Sequence, residues 1–111
     1  AGFLFENLLL TELVKTQTHA GRRQEIYFFR DQSGLEIDFL YPRKGGLWTI
    51  EAKLTSTPLP KMTAPMNALL PKLKSRFPVE SYLVTTQGPK STLTPGVVTV
   101  PLGEFLKGLR K

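Results

Sequence analysis

The chain has 111 residues, 41% of them hydrophobic and 22% charged, a balance that supports one globular domain rather than a disordered segment. Fifteen Lys and Arg against nine Asp and Glu leave a net charge of +6, which suits a polyanionic partner such as nucleic acid and equally suits simple solubility. With no cysteine and only one histidine, disulfides, thiolate zinc sites and histidine-rich metal sites are excluded; there is no apolar run of membrane-spanning length and no leader signature, so the expected compartment is the cytoplasm.

The first segment, GFLFENLLLTELV, predicts a helix over residues 3–18. At 3.6 residues per turn, Phe3, Phe5, Leu9, Leu10, Leu13 and Val14 form a broad apolar face. Glu6 falls within that face, between the directions of Leu13 and Leu10, and away from Asn7 and Thr11. A chain that starts inside a helix is expected to be a fragment of a longer polypeptide. His19-Ala-Gly21-Arg-Arg makes the exit loop.

Three strands are expected next. Residues 24–30 (QEIYFFR) are rich in β-formers, and Asp31-Gln-Ser-Gly34 is a turn signal. Residues 35–41 alternate, with Ile37, Phe39 and Tyr41 on one face and Glu36, Asp38 and Leu40 on the other. After a turn at Pro42–Gly46, residues 47–54 place Trp48, Ile50, Ala52 and Leu54 opposite Thr49, Glu51 and Lys53. The three read as an antiparallel meander.

Residues 55–65 are Pro/Thr-rich and read as a loop. Met66, Leu69, Leu70, Leu73 and Phe77 have helical spacing, with Pro71 expected to kink that helix and Pro78 to end it. A strand is expected over 80–86, a loop over 87–96, a strand over 97–100 and a terminal helix after it. The order α-β-β-β-α-β-(β)-α implies an α/β (α+β) domain over residues 1–111, a mixed central sheet flanked by helices.

The charged residues of the meander carry the chemistry. Glu51 and Lys53 lie two apart on one strand face, and pairing around the Pro42–Gly46 turn brings Asp38 close to Glu51. Two carboxylates sharing a site raise each other's pKa unless a cation neutralises them. All-oxygen ligands suit a hard cation, Mg²⁺ or Mn²⁺. An adjacent lysine would orient water or stabilise charge on a phosphate. The plain alternative is a solvated sheet face of cross-strand ion pairs among Glu36, Asp38, Glu51 and Lys53, each worth a few tenths of a kcal/mol, on the order of other exposed pairs. That alternative does not explain an acid on an apolar helix face. Glu6 is explained if its helix packs on the charged face of the sheet and joins Asp38 and Glu51.

The order Glu in the first helix, Asp on the second strand and Glu-x-Lys on the third resembles the PD-(D/E)XK nuclease core, the restriction-endonuclease-like fold. More closely, FENLLLTEL, YFFRDQSGLEIDF and IEAK resemble a domain of unknown function found C-terminal to AAA-type ATPases of bacteria and archaea. The similarity covers residues 2–54 by motif and the rest by the order of elements. It implies that Asp38, Glu51 and the Ala52 carbonyl hold the metal. It also implies that Lys53 positions water or stabilises the transition state, and that Glu6 completes the catalytic set Glu6, Asp38, Glu51 and Lys53. The Asp is preceded by Ile37 and not by Pro, a departure from the superfamily pattern. Arg30, Asp31 and Glu36 also match the closer family; Arg30 and Asp31 are expected to pair at the strand end.

The resemblance implies Mg²⁺-dependent hydrolysis of DNA phosphodiesters by a C-terminal module of an ATPase polypeptide. Arg22, Lys72, Lys74 and Arg76 are the candidate backbone contacts. The rival is a catalytically inactive regulatory or protein-interaction domain of that ATPase, with the apolar tail 97–109 as partner surface. His19 reads as a surface residue or cap and Trp48 as core. Gly88-Pro-Lys-Ser91 lacks the first glycine of a phosphate loop and reads as an ordinary loop.

Overall fold

Strand-period patterning builds a sheet, and the two helical faces cover it. The computed structural model describes residues 2–111. In chain order it has α1 (Gly2–His19), β1 (Tyr27–Arg30), β2 (Glu36–Arg43) and β3 (Gly46–Lys53). A short 3-10 helix (Pro60–Thr63) leads into α2 (Ala64–Lys74), then β4 (Val79–Thr85), β5 (Ser91–Thr94), β6 (Val97–Pro101) and α3 (Leu102–Leu109). The strands form one mixed sheet in the order β1-β2-β3-β4-β6-β5. β1, β2 and β3 are the antiparallel meander; β3, β4 and β6 run parallel, and β5 closes the edge antiparallel to β6.

Both sheet faces are covered, as the nearly continuous apolar runs of the parallel strands require. On one face Phe5, Leu9 and Leu13 of α1 and Phe105 and Leu109 of α3 pack on Phe39, Tyr41, Ile50, Ala52, Val84 and Val100. On the other, Met66, Leu69 and Leu70 of α2 pack on Ile37, Leu83 and Val97. Leu9 and Leu13 have no exposed surface, so each contributes about 1.5–3 kcal/mol of apolar burial. Among the described residues, no helix is long and apolar enough to cross a membrane.

Several elements differ from the sequence expectation. The first strand begins at Tyr27 and not at Gln24. The Gln17 side chain explains this: its amide donates to the Glu25 carbonyl (2.9 Å) and its oxygen accepts from the Glu25 N–H (3.0 Å). That backbone is therefore satisfied by α1 and needs no strand partner. β5 lies inside the expected 87–96 loop, its Thr-rich run hidden between Pro89 and Pro95-Gly96. α2 continues through Pro71 to Lys74, short of the expected Phe77. The tail 97–109 is core, with Val97, Val100, Phe105 and Leu109 buried, so it is not the partner surface expected of it.

The helix-to-sheet pairing also differs. α1 packs on the Phe39–Ile50 face and not on the charged face of β3. Thr49 marks that other face, with its hydroxyl on Ser81 Oγ (2.7 Å) and near Met66 Sδ (3.4 Å) of α2. Phe5, Leu9 and Leu13 of α1, with Leu10 beside them, pack on the apolar face of the meander, and a single Glu cannot reverse that preference.

Candidate functional site

The site arises where β2 stops obeying strand alternation. Tyr27 pairs with Leu40 and Phe29 with Ile37, so Asp38 and Phe39 together oppose the single residue Phe28. This is a β-bulge, which bends a strand and re-aims its side chains. The packing records the change: Phe39 lies under α1, whereas Ile37, two residues away, lies in the α2 cluster. Strict alternation would have kept the two on one face.

The β2–β3 ladder runs from Arg43–Gly46 to Phe39–Ile50 and ends there. Beyond it, carboxylates replace carbonyls as the acceptors. The Asp38 N–H donates to Glu51 Oε1 at 2.8 Å, and the Ala52 N–H donates to Asp38 Oδ2 at 2.8 Å. Each acid thus caps the strand opposite its own, and the two strands are bridged by side chains at the fork. Bonds from N–H to a charged carboxylate are stronger than neutral ones, which offsets the lost ladder pairing.

Burial makes this arrangement electrostatically costly. Glu51 is only 4% exposed. Its pKa is pushed up from 4.5 to about 7, first by desolvation, then by the charge of Asp38. Asp38, half-buried, is raised from 3.8 to about 6, again chiefly by desolvation, with Glu6 adding to the rise through hydrogen bonding and charge. The Ala52 N–H works against the rise on Asp38, the Asp38 N–H works against it on Glu51, and Lys53 opposes both by charge.

Glu6 and Asp38 share a cleft of about 380 Å³ between the start of α1 and the β1–β2 ribbon, with Phe3 and Phe28 on its rim. Phe3 is 73% and Phe28 68% exposed. Glu51 and Lys53 do not line the cleft. Glu6 therefore approaches Asp38 from the apolar side of the sheet, and not across a charged sheet face. Ala52 meets Asp38 through its N–H. Among the described residues, no group of three or more His, Asp or Glu is arranged to hold a metal ion. The ion pairs among the described residues are Lys15–Glu12, Arg30–Glu36 and Arg110–Glu12. Asp38, Glu51 and Lys53 make none, so the fork is not a row of cross-strand ion pairs.

Arg30 pairs with Glu36 at 2.8 Å and not with Asp31. Asp31 instead closes the β1–β2 turn, accepting from the Ser33 N–H, the Ser33 hydroxyl and the Leu35 N–H. The Ser33 hydroxyl, followed by the Leu35 N–H, holds its carboxyl below the usual range. The four candidate nucleic-acid contacts do not form one surface. Lys72, Lys74 and Arg76 are exposed at the end of α2, and Lys72 lies near enough to Asp31 to act on it by charge. Arg22 lies beside Tyr41 and Arg43, at the opposite end of β2. The bulge and Gln17 were the two site-shaping features that sequence reasoning missed. The only signal for either was an amide on a helix face that turned out to be buried.

Residues 1–105 match a family model described as "Domain of unknown function (DUF4143)". No curated protein and no solved structure matches the chain.

Proposed function

This chain belongs to the DUF4143 family, and we propose that it is a Mg²⁺- or Mn²⁺-dependent nuclease-like domain that hydrolyses DNA phosphodiesters as part of a cytoplasmic AAA-type ATPase polypeptide. One observation carries the reading: Asp38 and Glu51 bridge a strand fork with pKa values raised to about 6 and about 7, and the charge of Lys53 acts on both. Carboxylates perturbed by desolvation and by each other cluster at functional sites.

The donors fit a hard cation in kind: all are oxygen, and a cation would relieve the repulsion that raises both acids. The count is low for a full protein cage, since no group of three is arranged for metal among the described residues. Mg²⁺ tolerates this, because it keeps several waters and binds through one or two carboxylates. Asp38 and Glu51 would hold it, with the Ala52 carbonyl adjacent. Bound there, the ion would polarise a phosphoryl oxygen and acidify its water. Lys53 supplies positive charge beside the phosphate as negative charge builds on it. Glu6, in the same cleft, acts on Asp38 and raises its pKa.

The test is cleavage of supercoiled plasmid and of labelled single strands with Mg²⁺ or Mn²⁺, against an EDTA blank. Lys53→Ala and Asp38→Asn are each expected to slow cleavage by about a hundredfold or more. Absence of cleavage with both cations, or unchanged rates in both variants, overturns the reading. A second reading, an inactive interaction domain of the same ATPase, is favoured by exposed Phe3 and Phe28 at the cleft, with Leu4, Leu8 and Tyr27 also exposed on α1 and β1. Calorimetric titration of Mn²⁺ separates the two. Heat that Glu51→Gln abolishes supports the first reading, and no heat in the wild type supports the second.

A further inference from the structure

The net charge of the chain is concentrated at the end of β2 away from the acidic fork. A groove of about 630 Å³ opens where the last turns of α1 and α3 meet the β2–β3 turn. Six of the fifteen Lys and Arg line it: Lys15, Arg22, Arg43, Lys44, Arg110 and Lys111. The one carboxylate on its wall is Glu12, so the cations exceed the anions by five, against a net charge of +6 for the whole chain. Glu12 is already engaged by both Lys15 (3.4 Å) and Arg110 (3.3 Å), which leaves Arg22, Arg43, Lys44 and Lys111 without an acidic partner among the described residues.

Charges kept only for solubility would be dispersed, because like charges at close range repel. Here they converge around a concavity. Arg43 is held in place by its guanidinium, which lies 4.5 Å over the Trp48 ring. Its Nη1 is buried and has no hydrogen-bond partner, an unmade donor of a kind that native structures rarely leave. Arg22 approaches the same spot: burial raises the Tyr41 hydroxyl, and the charges of Arg43 and then Arg22 pull it back. Arg43 lies five residue steps beyond Asp38, so the groove lies roughly 17 Å from the fork along β2.

We infer that this groove is a binding site for a run of phosphate groups, engaged by Arg22, Arg43 and Lys44. Arginine guanidinium groups match phosphate oxygens in geometry, and lysine adds point charge. A volume of about 630 Å³ falls within the usual range of ligand pockets. Two sources share this chemistry: the phosphodiester backbone of a nucleic acid and a free oligophosphate. The site does not rest on the nuclease reading, since it contains none of the fork residues.

The experiment is fluorescence anisotropy of a short labelled DNA duplex with the intact chain, in EDTA so that no cleavage intervenes, repeated with sodium tripolyphosphate as competitor. Two charge-reversed doubles of equal net charge are compared: Arg22→Glu/Lys44→Glu in the groove and Lys61→Glu/Lys90→Glu outside it. All four positions are exposed, so both doubles are expected to fold, which Trp48 fluorescence checks. The groove double is expected to weaken binding by about tenfold or more and to flatten the salt dependence by about two phosphate contacts. The outside double should stay within about twofold of the wild type if the groove is the site. Competition by tripolyphosphate at low concentration assigns a free oligophosphate; duplex binding that resists it assigns the nucleic-acid backbone. Equal weakening in both doubles, or no binding of either probe to the wild type at low salt, overturns the assignment.

Discussion

Replacing Glu51 by Gln tests the electrostatics of the fork most directly. Gln keeps the shape and an oxygen that can accept the Asp38 N–H, which Glu51 Oε1 now accepts at 2.8 Å. It removes the charge. In the folded protein the Glu51 pKa stands at about 7, against 4.5 in an ordinary setting. A raised carboxyl pKa means that the folded state keeps a proton that the unfolded chain gives up. Wild-type stability therefore falls as pH rises from about 4.5 to about 7, and is flat above that window as far as this group is concerned. At 1.36 kcal/mol per unit, the loss is about 3 kcal/mol as an upper figure, because Asp38 titrates in the same range and shares the effect. Glu51→Gln escapes it. The two proteins should be nearly equal at pH 4, and the variant should be more stable by up to about 3 kcal/mol at pH 8. That corresponds to a melting temperature on the order of 10 °C higher for a domain of this size. Urea unfolding from pH 4 to pH 9, followed by Trp48 fluorescence, measures it. Trp48 is a suitable reporter, packed 4.8 Å from the Tyr82 ring and 5.8 Å from Phe105. A stability difference that does not change with pH, or a variant less stable at pH 8, refutes the reasoning.

Other outcomes follow from packing and hydrogen bonding. Gly46→Ala places a Cβ 2.8 Å from the Pro78 carbonyl oxygen, the same oxygen that accepts the Leu47 N–H at 2.9 Å. The start of the β3–β4 pair must shift, at a cost of about 1–3 kcal/mol in denaturant unfolding. Gln17→Ala strips both partners from the Glu25 backbone and should cost about 1–3 kcal/mol. Hydrogen exchange at the Glu25 amide should accelerate at the same time, while the sheet interior keeps its protection. Leu9→Ala, in a site with no exposed surface, should cost about 2–5 kcal/mol. Unchanged unfolding midpoints in these three variants would contradict the packing described for β3, the α1 exit and the α1 core.

The sequence revealed the fold through periodicity, and it failed where a side chain overrode periodicity. Leu35–Tyr41 and Leu47–Leu54 alternate so regularly that the meander could be read directly, and the 3.6-residue repeat of α1 gave the helix to within a residue at each end. The alternation of β2 was also what misled. It put Ile37 on the face of Phe39, and the bulge opposite Phe28 moved it to the other side. A bulge leaves no mark on a hydrophobic pattern, because the inserted residue looks like one more step of the strand. Glu6 was legible as an oddity because an acid in an apolar stripe has no cheap explanation. Its approach to Asp38, from the sheet face that α1 covers, depends on the bulge and was not legible. Gln17 was overlooked for the opposite reason: on a helix face a glutamine looks like ordinary surface until its two hydrogen bonds are seen. The basic groove escaped notice because its cations come from four separate stretches of chain, so no run of basic residues announces it.

The bulge and the perturbed acids are consequences of one another. Once β2 carries an extra residue, its ladder with β3 cannot continue past Phe39–Ile50, and the Asp38 and Ala52 N–H groups need new acceptors. Two carboxylates meet that need with bonds of 2.8 Å, but neutral amides or hydroxyls could do so without burying repelling charge. As a structural device, then, the fork is a poor choice, since apolar or neutral replacements of buried charges are often neutral or stabilising. The neutral double Asp38→Asn/Glu51→Gln should exceed the wild type in stability at pH 8 and lose that advantage at pH 4. It should also no longer respond to Mn²⁺, whereas the wild type should gain stability as Mn²⁺ is added. A double less stable than the wild type at both pH values would show that the charges hold the fork together. The acids would then be structural, and the raised pKa values only the cost of that role.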